Sequence, residues 1–200
     1  MDASWALLLA LLSVSWVFPA SVEAEARTFR VDPVHSSVAF EIRHVVTKVP
    51  GRFREFEGTV RYDPEAPEAS SVVFVVQADS IDTDDSERDA HLRSPDFFDV
   101  KRFPTLEFRS LRVRGIDDDT VEVTGELTIH GITREVTFPA EVLGVVALPG
   151  GGKAGFETEF SLNRKDYDIT WNRLLDQGGA VLGDEVEVTI RLEADETPDS

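Results

Sequence analysis

An alternation of apolar and charged residues with a period of two constrains this sequence more than any other feature. In one segment Val38, Phe40 and Ile42 are separated by Ala39 and Glu41. The same alternation recurs at 56–62, 121–129, 136–142 and 186–192. Successive side chains of a strand point to opposite faces of a sheet, so this pattern is typical of half-buried antiparallel strands. The sequence therefore predicts an all-β protein.

Turn residues separate these segments at short intervals. They include Asp63-Pro64, His130-Gly131, the glycine run 150–152 and Gly178-Gly179. The spacing gives about eight strands with no long helical pattern, which predicts either a β-sandwich or a β-barrel. A barrel of about eight tilted strands has an interior that is filled by side chains or holds one ligand.

One stretch, residues 82–103, lacks the alternation. Asp84, Asp85 and Ser86 are good helix N-cap residues, and 87–92 is long enough for a turn or two of helix. The bulky residues Phe97 and Phe98 are unusual for a plain surface loop. We expect this segment to form a short helix and loop that cover one end of the fold.

The first 24 residues have the pattern of a secretory signal peptide. The apolar run 6–18 is short for a membrane span, and small residues at Val22 and Ala24 suit signal peptidase. The start carries Asp2 and no basic residue, which is atypical. We expect cleavage near Ala24, a mature domain at 25–200, and a periplasmic or secreted protein.

Composition excludes several classes of function. The net charge is -18, from 38 Asp and Glu against 20 Lys and Arg, so we expect no binding to nucleic acid. The chain has no cysteine, which excludes disulfides and thiolate chemistry. It contains no GxSxG, Walker or GxGxxG motif. His35, His44, His91 and His130 lack close ligand spacing. We therefore expect no catalytic residues, no metal centre and no resident cofactor.

Five segments carry a resemblance to a known family. They are DPVHSSVAF at 32–40, GRF at 51–53 with FEG at 56–58, RDAHLRSPDFFD at 88–99, GELTIHGIT at 125–133, and NRKDY at 163–167 with VLGD at 181–184. In these segments the chain resembles the YceI-like family of exported polyisoprenoid-binding proteins, over residues 29 to about 194. One departure is Asp168, because the family often has glycine at or near this place.

The resemblance implies a single antiparallel lipocalin-like β-barrel that holds a polyprenyl chain or an isoprenoid quinone. It also implies a periplasmic or secreted location and the formation of homodimers. Stress response and lipid or quinone transport are the roles proposed for such proteins. A carrier is the leading interpretation. A protein that presents quinone to a membrane redox partner and a lipid-modifying enzyme are alternatives.

A polyprenyl chain has little hydrogen-bonding capacity, so its site needs aromatic and branched side chains. The candidate lining residues are Phe40, Ile42, His44, Phe56, Val60, Phe74, Leu127, Phe138 and Trp171. Polar residues in the irregular segments are candidates for a polar or pyrophosphate head group. These are Arg88, Asp89, His91, Arg93, Arg164 and Asn172. The alternatives are that the first set only packs together and that the second set only fixes loops.

Overall fold

A computed structural model describes residues 26–173 and 181–197, and the predicted signal peptide lies outside this part of the chain. The strands are β1 (Arg27–Val31), β2 (Ser37–His44), β3 (Thr47–Phe53), β4 (Phe56–Tyr62), β5 (Ser71–Gln77), β6 (Ile81–Asp82), β7 (Thr105–Gly115), β8 (Thr120–Ile129), β9 (Ile132–Leu148), β10 (Gly151–Asn163) and β11 (Leu182–Glu196). The one α-helix of the described residues, α1 (Ser86–Leu92), lies between β6 and β7. It is too short to cross a membrane.

The sheet closes into an antiparallel barrel of eight strands, as the resemblance predicts, and this decides between the sandwich and the barrel that the strand pattern left open. The strand order is β1, β4, β5, β7, β8, β9, β10 and β11. Closure occurs where Phe29 of β1 is the partner of Glu196 of β11. In β4, buried and exposed residues alternate along the whole strand, so the predicted two-residue period separates the lumen from solvent.

Three positions in the wall are each built from two consecutive strands. The long strand β11 pairs with β1 near Ala194 and with β2 near Ile190. In the same way β3 extends the wall along the line of β4, and β6 extends it along the line of β5, both on the side where β2 lies. The chain breaks between β1 and β2, between β3 and β4, and between β5 and β6, which lets the wall bend. The strands β2, β3 and β6 make the barrel taller at one end.

The taller end is covered by α1 and the loop that follows it, and we call it the helix end. The Asp85 carboxylate caps α1 by accepting hydrogen bonds from the backbone N–H groups of Glu87 and Arg88. Phe97 then packs into a buried cluster with Tyr167 and Ile169. The prediction of a short helix and loop over one end of the barrel is therefore confirmed.

The opposite end carries the long β9–β10 hairpin, and we call it the hairpin end. A register shift lies beside Gly144, whose φ of 147° suits glycine. On either side of it, Val142 and Val145 pack against the buried cluster that contains Phe29 and Tyr62. The sequence predicts β9 only to residue 142, because the bulge interrupts the alternation.

The pairing between β9 and β10 stops partway along the barrel. The ladder ends at the pair Glu157–Glu141, although both strands continue toward the helix end. Pro139 has no N–H to donate to a ladder, and the Thr158 hydroxyl donates to the Pro139 carbonyl at 2.6 Å. Beyond this point the rings of Phe138 and Phe160 stack with centroids 4.7 Å apart. We call this unpaired line the seam.

Candidate ligand-binding cavity

The interior of the barrel holds a large cavity of about 720 Å³. This volume lies within the range of about 300–1,000 Å³ that is usual for ligand sites. Aliphatic and aromatic side chains form most of its wall. Those from the strands include Val38, Phe40, Ile42, Val60, Val72, Phe74, Leu106, Phe108, Val123, Leu127, Phe138, Phe160, Val188, Ile190 and Leu192.

Glycines in the wall explain how so many phenylalanines leave an open lumen. Gly51 is the cross-strand partner of Phe40, and a Cβ at Gly51 would lie 2.2 Å from the Phe40 ring. Gly58 has the same relation to Phe74, at 2.4 Å. Each ring therefore lies flat over a glycine instead of projecting into the centre. This arrangement keeps an apolar surface without filling the space.

Eight of the nine candidate lining residues contact the cavity. They are Phe40, Ile42, His44, Val60, Phe74, Leu127, Phe138 and Trp171. Phe56 is the exception, because its ring is buried in the core cluster, where it stacks on Phe74 with centroids 5.8 Å apart, and does not reach the cavity. Phe56 shares a strand face with Val60, but it stands at the first position of β4 and packs into the buried cluster instead.

Sequence reasoning missed part of the wall. Val188, Ile190 and Leu192 of β11 line the cavity. Their alternation with charged residues identifies the strand and its inner face, so this signal could have found them. Tyr167 and Ile169 also line the cavity, but Tyr167 ends a 3₁₀ helix (Arg164–Tyr167) and Ile169 follows it, so no strand period applies to them.

An aromatic cluster borders the cavity at the helix end. The His91 ring meets Phe97 edge-on at 5.0 Å and Trp171 edge-on at 4.9 Å between centroids. Its Nε2 lies 2.9 Å from the Asp96 carboxylate. His91 is half-buried and lines the cavity, so one polar ring is placed where a ligand head group would meet the apolar wall.

The two other candidates on α1 hold the preceding loop. The buried Asp89 carboxylate accepts hydrogen bonds from the Thr83 N–H at 2.9 Å and the Thr83 hydroxyl at 2.6 Å. Arg88 donates through Nε to the same hydroxyl and through Nη2 to the Thr83 carbonyl, both at 2.8 Å. Arg88 also lines the cavity, whereas Asp89 does not.

Arg93 and Asn172 fix loops through backbone groups. Arg93 donates to the carbonyl oxygens of Asp79 and Ile81. The Asn172 side chain donates to the Leu182 carbonyl at 2.7 Å and accepts from the Leu182 N–H at 3.0 Å. Neither residue lines the cavity, so the structure does not bring them together with His91.

Arg164 is a buried cation that ties the end of β10 to the start of β11. Its guanidinium donates to the carbonyl oxygens of Ile169, Trp171 and Gly183 at 2.7 to 2.9 Å. Burial lowers the pKa of Arg164 from its ordinary value, and the Asp184 carboxylate partly offsets this. Arg164 touches the cavity, but these carbonyl groups already use most of its donors.

Two tyrosines are the other cavity-lining groups whose pKa departs from its ordinary value. Burial raises the pKa of Tyr62 and of Tyr167. Raised pKa values keep both phenols protonated and neutral at physiological pH. The two residues therefore add neutral aromatic surface to the wall.

Within residues 26–173 and 181–197, one group of histidine and acidic side chains comes close enough to hold a metal ion. His35 Nδ1 lies 2.7 Å from the Asp32 carboxylate and 3.8 Å from that of Glu193. The Lys153 ammonium lies 2.8 Å from Glu193 and already supplies a cation there. None of these residues lines the cavity. The cluster is separate from the candidate site.

The family model and the curated relatives that match this chain point to the same family. The model of the YceI-like domain matches residues 29–194. The protein YceI of Salmonella arizonae is 38% identical over 174 residues, which cover 85% of this chain and 87% of the relative. The curated YceI protein of Salmonella newport matches to the same extent.

Solved structures show the same barrel. BcnA of Burkholderia cenocepacia superposes with a TM-score of 0.72 at 26% identity, covering 82% of this chain and 99% of BcnA. The Campylobacter jejuni YceI protein gives 0.65 at 27% identity, covering 78% and 90%. A polyisoprenoid-binding domain from Saccharophagus degradans gives 0.65 at 15% identity, covering 86% and 100%, a likeness of fold alone. The chain thus belongs to the YceI-like domain family.

Proposed function

We propose that this protein binds a long apolar isoprenoid lipid, a polyprenyl chain or the tail of an isoprenoid quinone, and carries it inside the barrel. The observation that supports this most directly is the wall of the cavity, which is aliphatic and aromatic along most of its length. The resemblance of the fold to a polyisoprenoid-binding domain supports the same ligand class.

The energetics of such a ligand suit this cavity. Each buried carbon contributes about 0.8 kcal/mol, so a five-carbon unit contributes on the order of 4 kcal/mol before costs. Ordering of the flexible chain and partial burial offset much of this sum. An enclosed apolar wall therefore suffices for binding, and specific hydrogen bonds are needed only at the head group.

The polar groups at the helix end favour His91 and Arg88 as the head-group contacts. Both line the cavity, whereas Asp89, Arg93 and Asn172 do not. The Nδ1 atom of His91 and the Nη1 atom of Arg88 are the donors that would meet a phosphate or a quinone oxygen. Arg164 stays a structural residue in this proposal because backbone carbonyls surround it.

We further propose that the protein is exported and that it binds its lipid without converting it. The leader at residues 1–24 supports export to a periplasmic or secreted location. The shifted pKa values at the cavity arise chiefly from burial and leave neutral phenols and a structural arginine. None of these groups is poised as a general base, which supports a carrier.

A fluorescence titration tests the proposal. Trp171 borders the cavity, so adding a long polyprenol to lipid-free protein should change its emission in a saturable way. Val188→Phe places a larger ring in the lumen and should weaken binding at least about tenfold. Thr189→Phe puts the same ring on the neighbouring residue, outside the cavity, and serves as the matched control.

The titration of the two variants distinguishes a ligand inside the barrel from one bound elsewhere. Saturable binding that Val188→Phe weakens and Thr189→Phe leaves unchanged supports a ligand in the barrel. Equal binding by both variants places the lipid elsewhere and contradicts the proposal. A signal that persists in Trp171→Phe would show that the emission change comes from another site.

A further inference from the structure

No backbone ladder closes the seam between β9 and β10. The last pair of their ladder is Glu157–Glu141, and β10 continues beyond it through residues 158–163 toward the helix end. Over the same distance β9 stays paired with β8, and β10 stays paired with β11. Six residues of strand span about 20 Å. The seam is therefore a long slot in the side of the barrel, which side chains close.

Side-chain contacts take the place of a ladder in the seam. The Thr158 hydroxyl of β10 donates to the Pro139 carbonyl of β9 at 2.6 Å. Nearer the helix end, the rings of Phe138 and Phe160 stack with their planes 13° apart and their centroids 4.7 Å apart. We call these two rings the ring pair. One neutral hydrogen bond and one stacked pair are weaker than the several backbone hydrogen bonds that a ladder of this length supplies.

The helix end of the seam is tied by two more contacts. The exposed Arg134 side chain of β9 donates to the Asp166 carbonyl at 3.2 Å. In the turn before β9, the Nδ1 atom of His130 lies 3.2 Å from the Tyr167 carbonyl. Both carbonyl groups belong to the 3₁₀ helix that follows β10. The seam is thus tied at both ends by polar contacts, and the ring pair covers the space between them.

The lumen lies directly behind the ring pair. Phe138, Thr158, Phe160 and Leu162 all line the cavity. Aromatic rings reorient by rotation about their side-chain bonds, on a much shorter timescale than that on which strands separate. Rotation of the ring pair away from the seam would therefore connect the lumen to the outside, while the ladders that hold β9 to β8 and β10 to β11 stay intact.

The two ends of the barrel are held by more contacts than the seam. At the helix end, Thr83 donates two hydrogen bonds to Asp89 and accepts two from Arg88. Arg93 donates to two backbone carbonyl groups beside them. At the hairpin end, Val142 packs against a buried apolar cluster. Opening either end disrupts a polar network or buried packing, so the seam is the less costly place to open.

We propose that the seam is the portal of the cavity, through which the isoprenoid chain enters and leaves sideways between β9 and β10, with the ring pair as its gate. This inference rests on the proposed function, since it supplies the route of that ligand. The seam runs toward the helix end, where His91 and Arg88 border the cavity. A lipid can therefore keep its polar head at the helix end while its tail moves into the lumen, and the head does not cross the apolar interior.

A cross-link across the seam tests the portal. The chain has no cysteine, so a thiol cross-linker reacts only with an introduced pair. Phe138→Cys with Phe160→Cys places the pair across the seam, and dibromobimane joins two such neighbouring thiols. Glu159→Cys with Thr189→Cys is the matched control, because these residues are partners in the complete β10–β11 ladder and neither lines the cavity.

Each protein is loaded with a long polyprenol before the cross-linker is added. Release of the polyprenol to phosphatidylcholine vesicles is then followed by the emission of Trp171, which borders the cavity. We expect the cross-link to slow release at least about tenfold in the seam pair, because the gate can no longer open, and to leave release unchanged in the ladder pair. Loading first separates a locked portal from a lumen that cannot admit the ligand.

Thr158→Val tests the opposite direction. The substitution keeps the shape of the side chain and removes the hydroxyl that bonds to Pro139 across the seam. We expect uptake and release of polyprenol each to become about fivefold faster, since one tie of the seam is lost. Thr128→Val is the matched control, because it removes a hydroxyl contact with Thr133 between β8 and β9, where the ladder is complete. It should leave both rates unchanged.

The inference is overturned if the cross-linked seam pair releases polyprenol as fast as its untreated form, or if the ladder pair is slowed as much. Unchanged rates in Thr158→Val would overturn it as well, and these rates decide alone if the seam pair takes up no polyprenol. The proposed function fails separately, when the wild type shows no saturable binding at equilibrium. Saturable binding with rates that none of these changes affects would leave that function standing and remove the portal.

Discussion

At the scale of single residues, glycines placed opposite phenylalanines determine the shape of the lumen. The Phe40 ring covers Gly51 and the Phe74 ring covers Gly58, so both rings lie against the wall. Aromatic surface can then line the cavity without occupying its centre. The side chain that is missing at the glycine matters as much as the ring that covers it.

Gly51→Ala tests this packing. The new Cβ would lie 2.2 Å from Phe40, so the ring must move into the lumen. We expect a loss of about 1–3 kcal/mol in the free energy of unfolding and weaker polyprenol binding. Gly115→Ala is the control, because its nearest neighbour, Pro67, would be 3.5 Å away. Equal effects of the two substitutions would refute the packing argument.

Asp168, where the family often has glycine, lies in the left-handed region with a φ of 59°. It ends the 3₁₀ helix that carries Arg164. Asp tolerates this conformation better than most residues, and glycine tolerates it best. We expect Asp168→Gly to raise the free energy of unfolding by about 0.5 kcal/mol and Asp168→Ala to lower it by about 1 kcal/mol. Denaturant unfolding measures both, and a destabilised glycine variant would contradict the interpretation.

Asp82 gives the barrel a defined response to acid. A hydrogen bond from the Asp84 N–H and a second from Arg54 lower the pKa of Asp82 to about 2, from an ordinary 3.8. A carboxylate with a depressed pKa stabilises the folded state above pH 3.8, and this contribution is lost as the pH falls toward about 2.

We therefore expect Asp82→Asn to lower the melting temperature at pH 5, with the difference from the wild type shrinking as the pH falls from about 4 to about 2. Thermal melts at several pH values measure this. Asp118→Asn, in the β7–β8 hairpin, is the control. Its melting temperature should change with pH in the same way as that of the wild type. A difference for Asp82→Asn that stays constant down to pH 2 would contradict the assignment.

At the scale of strands and helices, the seam is the least supported part of the wall. The β9–β10 ladder ends at Glu157–Glu141, and each strand then keeps a ladder only on its other side. Side-chain contacts of Thr158 and Phe160 replace the missing backbone bonds. Such a region should open locally at a lower free energy than a fully paired strand.

Hydrogen exchange measured by NMR tests the seam. We expect alternate amides of residues 158–163, those directed toward β9, to exchange much faster than the amides directed toward β11. Residues 121–129 of β8, paired on both sides, are the internal control. Uniform protection along β9 and β10 would show a complete ladder and contradict the seam.

The elements differ in how far the sequence predicts them. A period of two identifies β2, β4, β8 and β11, because each has one face toward the lumen and one toward solvent. The cap at Asp85 predicts α1. The extension of β9 past residue 142 is missed because the bulge at Gly144 breaks the period.

The residues of the candidate site also divide into those that the sequence predicts and those that it does not. The inward positions of strands are predictable, and eight of nine candidate lining residues contact the cavity. The roles of the charged candidates are harder to predict. A sequence motif identifies an arginine but not the backbone carbonyl groups to which its guanidinium will donate in the fold. Arg93 and Arg164 bind backbone oxygens that come from distant or irregular segments, so their structural role emerges only from the fold.

At the scale of the whole molecule, the barrel is an apolar container with an acidic exterior. The charge of -18 keeps the surface well solvated, while the lumen offers an aliphatic and aromatic wall around about 720 Å³. At the hairpin end Val142 and Val145 pack against a buried apolar cluster, and at the helix end His91 and Arg88 border the cavity. This polarity along the barrel axis suits a ligand with an apolar tail and one polar end.

Native mass spectrometry of the purified protein, followed by solvent extraction and identification of any released lipid, tests the central claim most directly. The account predicts a bound species with a long isoprenoid chain, and a lower occupancy in Val188→Phe. A protein that retains no apolar lipid, and that also fails to take up polyprenol when it is supplied, would contradict it.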